Sequence, residues 1–285
     1  MTTTPPKLVA TSWTVLGDVT PRDPRWVSPI PLTERLDILA AQGWYGVGFT
    51  QDELETVRGN GRLTEMRRHL DAAGIEHVEV EFLSDWWCDG DEGAASRRTE
   101  EILLDAAAEL GAAFVKVGTA FREPIDDLAP LVEPLARLGD RAAARGQRIV
   151  LEPAAVAMVE SVPRGSELVS LAGRANIGLL VDLWHVLRAG TTPDELVARI
   201  PHGQVWAVEL TDADAEPAGD LFTDTVDNRR YCGEGDIDIP AVVDALRTVG
   251  FDGPWGVEIL STEHRALPLA EGLRRARDTA TRFVS

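Results

Sequence analysis

Short apolar or alternating runs recur along the chain, each followed by a longer amphipathic stretch. The runs are Leu8–Trp13, Tyr45–Phe49, His77–Leu83, Phe114–Val117, Arg148–Leu151, Ile177–Val181, Val205–Leu210 and Trp255–Leu260. Their lengths suit buried strands rather than helices. Between them lie segments with helical periodicity: Leu32–Ala41, Leu63–Ala73, Glu100–Leu110, Leu128–Arg145, Asp194–Ile200 and Ile239–Val249. Several of these run into a glycine (Gly43, Gly74, Gly111, Gly146, Gly250), the residue that best tolerates a left-handed helix stop. Strand, helix, glycine and strand again is a βα unit, and repeated units give a parallel sheet with right-handed crossovers. Eight such units in 285 residues predict a closed (β/α)8 TIM barrel, one α/β domain over residues 1–285. An open doubly wound sheet is the alternative. No G-x-G-x-x-G follows the first run, which argues against its dinucleotide-binding form. The longest unpatterned stretches are Gly17–Pro31, Cys88–Arg98 and Asp212–Asp238. In a barrel, long loops after strands build the mouth of the active site.

Composition narrows the partners. Lys plus Arg number 28 and Asp plus Glu 47, a formal charge of −19. Phosphate recognition needs a basic face, so nucleic acid is excluded as the main partner, and so is an anionic membrane surface. No apolar run approaches a membrane span. The opening segment MTTTPPK lacks the apolar stretch of a secretory signal. Two cysteines, Cys88 and Cys232, read as reduced thiols rather than a disulfide framework. These features predict a cytoplasmic protein. A homo-oligomer is compatible with them.

The position of the carboxylates carries the chemistry. Glu152, Asp182, Glu209 and Glu258 fall at or near the C-terminal ends of the fifth to eighth runs. Alternation by two sets them on the faces of Val150, Leu180, Ala207 and Gly256. If those faces point inward, four carboxylates converge at the top of the barrel. Crowded like charges either raise one another's pKa or bind a cation. Oxygen donors suit Mg²⁺ or Mn²⁺. The alternative for each acid is a helix cap or an arginine partner.

His185 follows Asp182 by three residues. It is placed to bind metal or a substrate hydroxyl, or to cap the next helix. Glu81 shares an inward face with Glu79. Lys116 lies on the fourth run, where burial requires a partner such as Glu81 or Glu152, or a substrate contact. Trp13, Trp86, Trp87 and Trp184 sit at or beyond strand ends, where aromatics wall sugar sites or pack loops. His264, after the last run, is left open.

Four motifs place the chain further: LEP at Leu151–Pro153, VDLWH at Val181–His185, VELTD at Val208–Asp212, and CGEGDIDIPAVVDAL at Cys232–Leu246 leading into GFDGPWGVEIL. In these the chain resembles the xylose isomerase-like sugar phosphate isomerases and epimerases over essentially its whole length. The resemblance implies one divalent metal, commonly Mn²⁺, on the acids matching Glu152, Asp182 and Glu258. The fourth ligand there is usually histidine, in a V-H-L-K-D pattern. Here it is Glu209, which makes the site harder or turns away from it. The family's DNA-repair branch needs many histidines and does not fit.

The activity expected on this basis is a metal-dependent sugar isomerase or epimerase acting on a small carbohydrate. Glu152 and Glu258 would exchange the proton, and His185, Glu81, Lys116, Arg230 and Trp13 would bind substrate. Arg229 reads as a solvated loop residue. The alternatives are a lyase that begins with the same proton abstraction (a dehydratase or a 3-keto-glycoside cleaving enzyme), a Schiff-base aldolase using Lys116, and a metal-poor binding homologue.

Overall fold

A computed structural model describes residues 5–59, 61–119 and 121–285. The first four residues of the opening segment therefore lie outside the described residues. Eight parallel strands close into a barrel in chain order: β1 (Leu8–Ala10), β2 (Gly46–Thr50), β3 (His77–Leu83), β4 (Phe114–Gly118), β5 (Ile149–Glu152), β6 (Ile177–Asp182), β7 (Val205–Leu210) and β8 (Trp255–Val257). Helices pack outside, among them Leu32–Gln42, Gly90–Leu110, Ala129–Ala143, Val162–Ala172 and Leu269–Val284. The chain is thus the (β/α)8 barrel that the alternation predicts. Gly43 and Gly111 end their helices at φ 72° and 64°, a conformation that costs a glycine no Cβ clash. No helix among the described residues is long and apolar enough to cross a membrane. Cys88 and Cys232 are both free thiols.

The apolar residues divide into two cores. The larger lies between strands and helices. The smaller, Phe114, Val150, Leu180 and Ala207, fills the barrel. Those four residues establish which face points inward, and alternation then carries Lys116, Glu152, Asp182 and Glu209 inward one layer higher. Below them, a register shift between β6 and β7 admits Trp206. Its ring packs where a Cβ on Gly178 would stand 2.2 Å away, and its indole N–H donates to the Gly203 carbonyl at 3.0 Å. The barrel is therefore stoppered at its N-terminal end.

Two runs end sooner than the sequence pattern suggests. β1 stops at Ala10 and β8 at Val257. Beyond them backbone bonds from the Thr11 and Glu258 N–H groups continue, joined by side chains. The Thr14 hydroxyl donates to the Val257 carbonyl at 2.7 Å and accepts the Ile259 N–H at 2.9 Å. The helix expected from Glu100 begins at Gly90 instead. Its first turns show no apolar stripe because their packing residue is Gly93, where a Cβ would meet the Cys88 carbonyl oxygen at 2.1 Å.

His264 lies outside the barrel mouth. Its Nε2–H donates to the Thr14 carbonyl and its Nδ1 accepts from the Tyr231 hydroxyl, both at 2.9 Å. The Thr14 oxygen can only accept, which fixes this tautomer. Burial depresses the His264 pKa. The unfolded chain therefore takes up this proton first, and the stability His264 contributes above pH of about 6.5 is lost as pH falls below it. Thermal unfolding should show the melting temperature of the native chain falling more steeply from about pH 6.5 to about pH 5 than that of His264→Gln. Parallel curves would exclude this role.

Candidate active site

The mouth of the barrel is built from strand ends. Glu152 closes β5, Asp182 closes β6, Glu209 is the penultimate residue of β7, and Glu258 follows β8. One carboxylate oxygen from each lies within 4.8 Å of the other three. All four side chains are buried. The Glu258 N–H still donates to the Leu210 carbonyl at 3.0 Å, so the residue is held as firmly as a strand residue.

Two cations face this ring. Lys116 Nζ lies 2.5 Å from Glu209, 2.8 Å from Glu81, 3.3 Å from Glu258 and 3.9 Å from Glu152. Burial opposes its charge, but the carboxylates, Glu152 foremost, outweigh burial and raise its pKa well above the usual lysine value. A lysine held charged is a poor imine-former, so the geometry disfavours the aldolase alternative.

The second cation is Arg229, which sequence reasoning assigned to solvent. It is buried, with Nη1 2.6 Å from Asp182 and 3.2 Å from Glu258. Its other nitrogens donate to the Thr225 carbonyl and hydroxyl at 3.2 and 3.1 Å. Arg230, expected to bind substrate, points the other way and pairs with Asp214 at 2.8 Å on the exposed side. The cause is backbone geometry. Arg230 and Asp212 bridge through both backbone hydrogen bonds, at 2.7 and 3.0 Å. Successive side chains of such an extended segment alternate, and Arg229 shares its side with buried Tyr231. That shared parity was the signal available in the sequence.

Asp182 satisfies both readings offered for a strand-end acid. Its Oδ1 accepts the Trp184 and His185 N–H groups at 2.6 and 3.4 Å, capping the helix Leu183–Arg188, while Oδ2 takes Arg229. His185 Nδ1 accepts the Ala155 N–H at 3.2 Å. Burial, followed by the Arg229 charge, drives its pKa well below the usual histidine value. The neutral ring therefore carries its proton on Nε2, which is 3.7 Å from Glu152. Burial also raises Glu152 to about 8 against the opposing pull of Lys116. Burial and then Glu258 push Glu209 well above the carboxylate range.

Above the ring opens a cleft. Glu81, Lys116, Glu152, His185, Arg229 and Glu258 form its polar floor. Trp13 and Trp26, in edge contact at 5.0 Å, wall it together with Phe82, Phe121 and Leu260. Trp26 comes from the unpatterned 17–31 segment. Trp86, Trp87 and Trp184 lie outside the lining. Trp86 instead donates to the Gly118 carbonyl at 3.0 Å, and Trp184 donates to Asp224 at 3.0 Å.

Residues 36–279 match the family described as the xylose isomerase-like TIM barrel. The chain belongs to this family. A 3-dehydroshikimate dehydratase of Pseudomonas aeruginosa is 28% identical over 250 residues, 85% of this chain and 39% of that protein. An inosose isomerase of Bacillus subtilis is 28% identical over 156 residues, 54% of this chain and 55% of that protein. A solved structure of a xylose isomerase-like TIM barrel/4-hydroxyphenylpyruvate dioxygenase fusion protein superposes with a TM-score of 0.79 at 25% identity, over 96% of this chain and 41% of that one. The chain thus spans about two fifths of the length of the dehydratase and of the fusion protein. Its family relatives include both isomerases and dehydratases.

Family membership implies a divalent metal, and the donor set suits one. Glu209 Oε2 is buried without a hydrogen-bond partner among the described residues. Five acids (Glu81, Glu152, Asp182, Glu209 and Glu258) face two cations. Uncompensated carboxylate oxygens in a buried ring are what a hard cation neutralises.

Proposed function

We infer that this chain is a divalent-metal-dependent isomerase or epimerase of a small carbohydrate, with Mn²⁺ or Mg²⁺ on Glu152, Asp182, Glu209 and Glu258. The observation that carries this reading is the convergence of these four buried acids within 4.8 Å under a cleft with aromatic walls. When bound, the ion supplies Lewis-acid polarisation of a carbonyl and acidifies the neighbouring C–H.

The chain's own residues move the proton. Glu152, whose carboxyl burial pushes up, is placed to serve as the acid. Glu258, across the cleft floor, serves as the base that takes the carbon-bound proton. The Nε2–H of neutral His185 is free to donate to a substrate oxygen, and Arg229 steadies Asp182 and Glu258 in their orientations. Trp13 and Trp26 offer apolar edges to the carbon face of a ring and exclude water from it.

One observation favours a second reading. The dehydratase match spans 85% of this chain, against 54% for the inosose isomerase match. A lyase reaction starts with the same abstraction and then expels a β-hydroxyl. The experiment is a panel of ketoses, inososes and keto-sugars, with products analysed for an isomer or an enone. Chelator treatment is expected to abolish turnover, with Mn²⁺ or Mg²⁺ restoring it and raising the melting temperature. Full activity after complete metal removal would overturn the metal assignment.

A further inference from the structure

We propose that Lys116 is the resident counter-ion of the carboxylate ring, and that a divalent ion enters only as the Lys116 ammonium withdraws onto Glu81. This rests on the reading of the ring as a metal site. Three of its four acids already lie within 4 Å of Lys116 Nζ, so the ammonium occupies the position from which an ion would reach them. Two cations cannot share that position. The chain provides an alternative partner for the lysine. Glu81 stands outside the quartet. One of its oxygens is pinned by the Ser12 N–H at 3.3 Å, while the other faces Lys116 at 2.8 Å. A four-carbon stem ending in a compact head can swing without moving β4. Arg229 is planar and doubly bonded to Thr225, so it cannot make the same move. Metal affinity is then set by the exchange of Lys116 between the ring and Glu81, and not by the four ligands alone.

Calorimetric titration of the full chain with Mn²⁺ tests this without any substrate. Lys116→Met should bind Mn²⁺ at least about ten-fold tighter than the native chain, because a charge repelling the ion is gone. Lys116→Arg keeps the ring neutralised but has no compact head to withdraw, and it should bind at least about ten-fold weaker. Glu81→Gln should weaken binding in the native background. In the Lys116→Met background it should have a much smaller effect, and that non-additivity separates a shared lysine from a general charge effect. If Lys116→Met fails to fold, Lys116→Arg and Glu81→Gln decide the matter. Equal or weaker binding by Lys116→Met, or unchanged binding by Lys116→Arg and Glu81→Gln, would overturn the exchange while leaving the metal site standing. Mn²⁺ binding by neither the native chain nor Lys116→Met would overturn the metal reading, and the exchange with it.

Discussion

Glu258→Gln should abolish the uptake of solvent deuterium next to the substrate carbonyl and lower kcat by about 10²–10⁴-fold. Glu258 is buried at the end of β8, within reach of Lys116 and Arg229 but held by its own backbone. The amide keeps the shape and loses the basicity. Isomerisation and elimination both begin with this proton, so the expectation holds for either product. Glu152→Gln is the complementary case. Burial already disfavours the charged form of this carboxyl, so the neutral amide of glutamine should be tolerated by the fold. Its loss should appear in kcat, with metal occupancy measured alongside because both residues belong to the donor set. Turnover without deuterium uptake and without a primary isotope effect on the substrate C–H would leave both acids with no part in the chemistry.

The second large effect concerns Arg229. Arg229→Met removes the partner of Asp182 and one partner of Glu258, leaving buried carboxylates uncompensated. Breaking a buried ion pair from one side costs about 3–5 kcal/mol, and for a chain of this size the melting temperature should fall by on the order of 10 °C. Mn²⁺ should raise the melting temperature of the variant more than that of the native chain, since the ion takes over the neutralisation. A variant that melts like the native chain would show that solvent reaches Asp182. Arg230→Met, which breaks only an exposed pair with Asp214, is the control and should cost about 0–1 kcal/mol.

The eight strands and the acids at their ends were legible because parallel strands buried on both faces leave short apolar runs, and an acid at the end of such a run stands out. The strand ends were less legible. Hydroxyls of Thr11 and Thr14 complete the ladder between β1 and β8, and a threonine's sequence context does not announce that role. Lys116 was marked by its burial, and two of its partners, Glu81 and Glu152, were named from the sequence. Glu209 and Glu258 became partners only through barrel closure, which brings residues 93 and 142 positions away onto one ammonium. Trp26 and Arg229 were hardest to read. Both sit in long loops without periodicity, where tertiary contacts largely decide which side chain turns inward, and only the parity of Arg229 with Tyr231 offered a hint.

The loop that delivers Arg229 is stapled by the Asp212 side chain as well as by its backbone. Asp212 accepts the N–H groups of Ala213 and Ile237 on one oxygen and of Gly233 on the other. The two ends of a long excursion are thereby tied to the rim of β7, while residues 215–220 remain exposed outside the knot. That arc is itself tied back at three points: Arg188 donates to the Ala215 carbonyl, the Ala218 N–H donates to Asp224, and Asp220 caps the helix Leu221–Asp227 that carries Thr225, the partner of Arg229. Only the side chains between these anchors, Glu216 and Pro217 among them, are left to exchange without loosening the helix that steadies Arg229, so variation at this rim is a matter of single side chains rather than of loop length.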